Sequence, residues 1–280
     1  VNWIDHKARR LVVPGSYIGR AIDRLLPSAE RLIARGHIDA RRRVAGYEGI
    51  EIDAWLIRAH GRSPRGSVLM LHPLMMTKRW LLPAGRRLAQ RGFDVVLPDL
   101  RAHGGTGGQF TTWGCKEKHD IKLLVDALLT AGDIAEPIYA VGTSLGGATA
   151  IQWAAIDRRC RGVLALAPPA SFWWIGRRVL LLESRRTVRR AVLRAAEMAG
   201  FNPYEASAAE AAGRLTCPLV LVHGVLDFIV PFPHIRAVAT AGWPRTQRLI
   251  RPFASHTPDL GRWRWLVRQF EQLVGRPRAA

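Results

Sequence analysis

Ile138 to Ala150 reads IYAVGTSLGGATA: a run of strand-forming residues, the turn Gly142-Thr143-Ser144-Leu145-Gly146, then an apolar segment of helical composition. A G-x-S-x-G turn between strand and helix is the context of a nucleophile elbow, where the serine is held in a strained backbone conformation. Strand and helix close on each other there, so the residues two before and two after the serine must be small. Gly142 and Gly146 fill those places. A helix starting just beyond the serine also aims its free N–H groups and positive dipole end at the reacting centre.

A serine hydroxyl is a weak nucleophile until a base takes its proton, so a histidine is needed, and a carboxylate to fix that histidine's tautomer. Asp227 follows the apolar run PLVLVHG, and His256 follows the last such run, in RPFASH. Both fall just past strand ends, where open α/β sheets place their sites.

Working outward, short extended runs between Arg43 and His60, with a turn at Gly49, predict an antiparallel hairpin. Apolar runs at Ser67–Leu71, Phe93–Leu97, Ile138–Val141, Gly162–Leu166, Leu219–Val222 and Arg248–Ile250 predict buried strands. Stretches of helical length or spacing separate or follow them: Arg79–Arg91, Lys118–Thr130, Leu145–Ile156, His234–Ala241 and Asp259–Leu273. Strands alternating with helices build parallel βαβ units, hence one mostly parallel sheet of about eight strands with helices on both faces. Before it, Ile18, Ile22, Leu25, Leu32 and Ile33 suggest two short helices around Pro27 that lie against the main body. The expected organisation is an N-terminal helical accessory segment over 1–42, one domain over 43–274 and a tail over 275–280. No repeat or linker divides the chain, but 168–215 is longer than a crossover needs and predicts a small helical cap between the sixth and seventh strands.

The segments GTSLGG, LMLHP, DLRAHGGTGG and HGVLDFIVP resemble the α/β-hydrolase family over about Val44 to Leu273. The HG..D..VP pattern around Asp227 and TTWG..EKHD over Thr111–Asp120 are similar to its esterase and prolyl-peptidase-like branches. The resemblance implies a catalytic order Ser144, Asp227, His256, as that family has it. It also implies an oxyanion hole from the backbone N–H of Leu145 and another in the loop after the third strand. That loop begins His72-Pro73-Leu74, and Pro73 has no N–H, so Leu74 or else Met75 supplies it. The implied activity is cleavage of a carboxylic ester or thioester through an acyl-enzyme, on a small-molecule acyl substrate and without metal or organic cofactor. A prolyl-peptidase-like serine peptidase is the alternative, less favoured for want of room for a large gating domain. A non-catalytic hydrolase-fold protein that binds anionic lipid or nucleic acid is the rival class. Serine at the elbow, in place of aspartate, disfavours halide displacement and epoxide opening. Asp99 is a weaker candidate for the acid, being structural in relatives. His72 shapes the oxyanion loop, and His103, His119 and His223 have structural explanations.

The chain has 280 residues and is 48% hydrophobic, ordinary for a packed core; 42 Lys+Arg, mostly arginine, against 22 Asp+Glu leave a formal +20. The excess fits either an anionic partner or a solvated basic face, and nucleic acid is not the expected partner. Cys115, Cys160 and Cys217 show no metal-ligand or CxxC spacing. Val1–Val13 carries too many charges for a secretory signal, and the first residue, Val, leaves room for a removed upstream segment. A cytoplasmic location is expected. The uncharged run Pro137–Ile156 is better read as strand, elbow and helix than as a membrane span. In the insertion, Leu181, Val188, Val192, Ala195 and Ala199 form one apolar helical face opposite Arg186, Arg190 and Arg194. With Phe172, Trp173 and Trp174 before it, this basic helix suits either a cap over the site or a peripheral membrane contact. The sequence gives no oligomeric state.

Overall fold

The computed structural model describes residues 3–15, 21, 25–61, 63–251, 255–256 and 263–275. Eight strands form one sheet: β1 (Ala40–Ala45), β2 (Glu51–Ile57), β3 (Ser67–Leu71), β4 (Asp94–Pro98), β5 (Ile138–Thr143), β6 (Cys160–Leu166), β7 (Leu219–Gly224) and β8 (Thr246–Arg251). Their spatial order is β1-β2-β4-β3-β5-β6-β7-β8. The β1–β2 and β2–β4 pairs are antiparallel, and the rest are parallel.

The parallel strands are apolar on both faces because both are covered. Along β3, Leu69 and Leu71 point into one core, and Val68 and Met70 into the other. In β7, Leu219 and Leu221 alternate with Val220 and Val222 in the same way. The helices α1 (Trp3–Val12), α4 (Glu117–Thr130), α5 (Leu145–Ala154) and α9 (Phe232–Ala241) contribute to the first core. The second core takes in α2 (Ala29–Ala34), α3 (Leu82–Ala89) and α10 (Trp263–Val274). Between β6 and β7 lie α6 (Phe172–Val179), α7 (Arg185–Ala199) and α8 (Ala208–Ala212). The order reverses between β3 and β5, and a crevice for ligands opens beyond the carboxyl ends of the strands at such a switch point.

Several expectations are corrected. The first helix is α1, read from sequence only as a charged start. Its apolar residues Ile4, Ala8, Leu11 and Val12 are all buried, while its charges occupy other positions. Ile18 and Ile22 lie outside the described residues, and Leu25 is exposed. The hairpin starts at Ala40, ahead of the expected boundary at 43, because β1 pairs over its whole length from Ala40↔Leu56 to Ala45↔Glu51. Leu181 precedes α7 and is exposed instead of completing its apolar face. Arg194 is not a free solvent-facing cation, since its Nε meets Asp5 at 2.7 Å and its guanidinium meets Glu197 at 2.9 Å. Pro137–Ile156 is divided among β5, the elbow and α5, and no helix among the described residues is long and apolar enough to cross a membrane.

Candidate active site

Ser144 follows β5 and starts α5 with φ 51° and ψ −117°. The left-handed φ is sterically costly for a residue with a Cβ, and it aims the side chain away from the sheet. The neighbouring glycines allow this close turn. A Cβ on Gly146 would collide with the Leu71 carbonyl oxygen and sit 2.7 Å from that of His72, and one on Gly142 would collide with the Gly146 carbonyl. The Ser144 N–H donates to Leu166 O at 2.7 Å, anchoring the turn to β6.

Three strand ends bring the predicted residues together. His256 Nε2 lies 2.9 Å from Ser144 Oγ, and His256 Nδ1 lies 2.9 Å from Asp227 Oδ2. The other Asp227 oxygen accepts from the N–H groups of Ile229 (3.0 Å) and Val230 (2.8 Å), so the carboxylate is fixed by its own turn. Burial alone would raise the Asp227 carboxyl, but the His256 hydrogen bond and the Val230 N–H outweigh it and hold it below the ordinary value. It therefore stands as an anion facing the imidazole, which fixes the Nδ1–H tautomer and leaves Nε2 free to accept a proton.

Leu145 begins α5 and Leu74 lies in the loop after β3; among the described residues neither N–H makes a hydrogen bond. The Met75 N–H is directed at His103 Nε2, 3.4 Å away, which leaves Leu74 the better placed of the two candidates in that loop. His72 supports the loop from beneath and is driven to a pKa of about 3, first by burial and then by the neighbouring His103.

Asp99 does not approach His256. Its carboxylate accepts from the Lys78 N–H (2.8 Å), the Gly105 N–H (2.8 Å) and the Lys78 ammonium, which also reaches Asp53 at 3.2 Å. In the TTWG..EKHD segment, Glu117 accepts from Thr111 Oγ1, Thr112 N and Gly114 N at 2.7–2.9 Å. Asp120 forms a two-pronged pair with Arg101, at 3.0 and 2.8 Å. These acids build the loops around the site. His119 packs against Tyr47, and His223 is buried against Phe232 with burial lowering its pKa. All three cysteines are buried and free.

Ser144 and His256 open into a cavity of about 1140 Å³. Its lining is chiefly apolar, including Leu74, Met76, Trp80, Trp113, Ile175 and Val230, and among the described residues its charged side chains are Arg10, Arg178 and Glu183. Arg10 comes from α1, a contribution the sequence reading missed. Its signal was the helical recurrence of Ile4, Ala8 and Leu11, which turns Arg10 to another face.

A family model described as serine aminopeptidase, S33, matches residues 62–196, a span that contains Ser144 and the Leu74 loop but ends before Asp227. No curated protein sequence matches the chain. Among solved structures, an esterase of Pyrococcus furiosus superposes with a TM-score of 0.69 at 20% identity, over 87% of this chain and 94% of its own. Est1E from Butyrivibrio proteoclasticus, solved with ferulic acid bound, gives a TM-score of 0.63 at 19% identity, over 83% and 99%. An acylaminoacyl peptidase from Pyrococcus horikoshii gives 0.65 at 15% identity, over 86% of this chain and 42% of its own.

Proposed function

We propose that this chain, which has the α/β-hydrolase fold and matches a serine aminopeptidase family model over 62–196, is a serine hydrolase cleaving carboxylic esters, with thioesters close behind. The observation that carries the reading is the continuous line Ser144 Oγ–His256 Nε2 and His256 Nδ1–Asp227 Oδ2, each 2.9 Å.

The mechanism follows from that line. As Ser144 Oγ attacks the ester carbonyl carbon, His256 Nε2 takes its proton, and Asp227 stabilises the imidazolium formed. The carbonyl oxygen becomes an anion facing the Leu145 and Leu74 N–H groups. The intermediate collapses, the C–O bond to the leaving group breaks, and Nε2–H protonates the departing alcohol. Water, deprotonated in turn by Nε2, attacks the acyl-Ser144 ester. Release of the acid returns the proton to Oγ. No metal or organic cofactor enters these steps.

The cavity favours an apolar acyl group. It argues against an aminopeptidase, whose substrate brings a free ammonium: among the described residues the charged lining offers Arg10 and Arg178, and its one acidic group, Glu183, is already paired with Lys7. A fluorescent fluorophosphonate should label the wild type, label Ser144→Ala not at all, and label Asp227→Asn and His256→Ala slowly. Unchanged labelling of Ser144→Ala, or no reaction of folded wild type, would remove the serine from its assigned role. A proline-containing peptide cleaved as fast as an ester would favour the peptidase alternative.

A further inference from the structure

Two loops place apolar side chains in water at the mouth of the active-site cavity. Leu181 and Leu182, between α6 and α7, are 65% and 99% exposed; Phe228 and Ile229, after β7, are 72% and 59% exposed. All four also line the cavity that holds Ser144 and His256. Arg178 joins the loops through its Nε, which donates to Phe228 O at 2.7 Å. Large apolar side chains gathered around one opening mark a surface that is covered when a protein works.

The charge beside this rim indicates what covers it. The first turn of α7 holds Arg185 and Arg186 and no acid, although the helix dipole favours anions there. Arg177, Arg185 and Arg189 line, with Trp173, Trp174 and Tyr204, a second cavity of about 780 Å³. It shares a wall of Arg178, Leu180, Leu181 and Glu183 with the first. Among the described residues Arg177, Arg185 and Arg189 have no acidic partner, and the carboxylate on the shared wall belongs to Lys7. The apolar face of α7 contributes only Val188, at the edge of the second cavity, since Val192, Ala195 and Ala199 are buried within the fold.

We propose that the rim docks on an anionic lipid bilayer. Leu181, Leu182, Phe228 and Ile229 enter its acyl boundary, while the arginines of α6 and α7 meet its phosphates. Trp174, 39% exposed on the same side, suits the interfacial layer. A second copy of the chain covers the apolar rim less well, because an isologous contact would bring the unpaired arginines face to face. Docking needs only this surface. That the bound lipid then supplies the acyl substrate rests on the serine-hydrolase reading.

The test is co-sedimentation of the full chain, carrying Ser144→Ala so that no lipid is cleaved, with phosphatidylcholine vesicles with and without phosphatidylglycerol, at about 150 mM salt. Binding should be at least about tenfold tighter with phosphatidylglycerol, and Leu182→Ser/Phe228→Ser and Arg185→Gln/Arg189→Gln should each weaken it by about tenfold or more. All four of these residues are solvent-facing, so both variants should melt with the parent. Failure of the folded parent to bind, or binding indifferent to Leu182→Ser/Phe228→Ser, overturns the proposal. So does a dimer that this pair of substitutions dissociates when vesicles do not bind. Vesicle binding by the Ser144→Ala chain, with no ester cleaved by the wild type, would sink the hydrolase reading and leave docking intact; ester cleavage by the wild type without vesicle binding would do the reverse.

Discussion

His72 Nε2 accepts the Leu100 N–H at 2.9 Å, tying the loop after β3 to the loop after β4. Its Nδ1 donates to Pro73 O at 2.8 Å, so both ring nitrogens are engaged by one neutral imidazole. The ring thereby sets the position of the Leu74 N–H. His72→Ala would leave the Leu100 N–H buried without an acceptor, a loss of about 1–3 kcal/mol in unfolding free energy. With Leu74 as oxyanion donor, kcat should fall about tenfold to a hundredfold and KM should hardly move. An unaltered kcat in the folded variant would take this loop out of catalysis.

The buried histidines make a prediction about acid. Burial first, and the neighbouring His103 next, lower His72 to about 3; burial likewise lowers His234, whose Nδ1 accepts the Ala170 N–H at 3.1 Å, to about 4. Each is neutral in the fold and takes up a proton more readily once unfolded, near its ordinary value of about 6.5. Stability is therefore full above that value and declines as pH falls toward the folded pKa, by up to about 1.4 kcal/mol per pH unit for each ring. Urea midpoints measured from pH 7 to 4.5 should fall, and His234→Gln should flatten the slope by up to about one proton. A level profile in the wild type would contradict the buried neutral rings.

Asp227→Asn separates two duties of one carboxylate. Oδ1 holds the Ile229 and Val230 N–H groups while Oδ2 faces His256. An amide has one acceptor oxygen: it can keep the turn and present NH₂ to Nδ1, or face Nδ1 and put NH₂ against the turn. In the first arrangement the histidine adopts the wrong tautomer. Ester hydrolysis should drop about 10³–10⁴-fold in kcat with a native melting profile, whereas a loss below tenfold would mean that another group orients His256.

Much of this is legible in the sequence because it is local. The paired glycines at 142 and 146 follow from a close approach of strand and helix, and the strand ends at Asp227 and His256 follow from runs of β-branched and leucine residues. Other features depend on distant partners. The charges of Val1–Val13 obscured α1, whose apolar stripe becomes meaningful only once the cap supplies a surface for it. Leu181 fits the helical period of α7 by spacing, yet the N-cap at Ser184, whose side chain accepts the Thr187 N–H at 3.1 Å, starts the helix three residues later. Nothing in the spacing of Arg194 announces Asp5, which is brought to it from the other end of the chain.

Leu11→Ala tests whether α1 shapes the substrate cavity as well as covering a core. Leu11 is 1% exposed and lies in the core that includes Ile175, Val188 and Val192 of the cap. Its carbonyl accepts the Trp113 Nε1–H at 2.7 Å, and the next carbonyl, of Val12, accepts the Thr111 N–H at 2.9 Å. The helix is also pinned to the cap by Lys7 with Glu183 and Asp5 with Arg194. Truncating Leu11 removes packing on both sides of this bridge at a cost of about 2–5 kcal/mol. Since Arg10, Trp113 and Glu183 all line the cavity, the loosened bridge should widen it on the side away from Ser144. KM for a long-chain ester should then rise several-fold while kcat and fluorophosphonate labelling stay near wild type, as expected for lost ground-state binding. Equal losses in kcat for long and short esters would place α1 in support of the Ser144–His256–Asp227 line, and destabilisation with unchanged KM would confine it to the core.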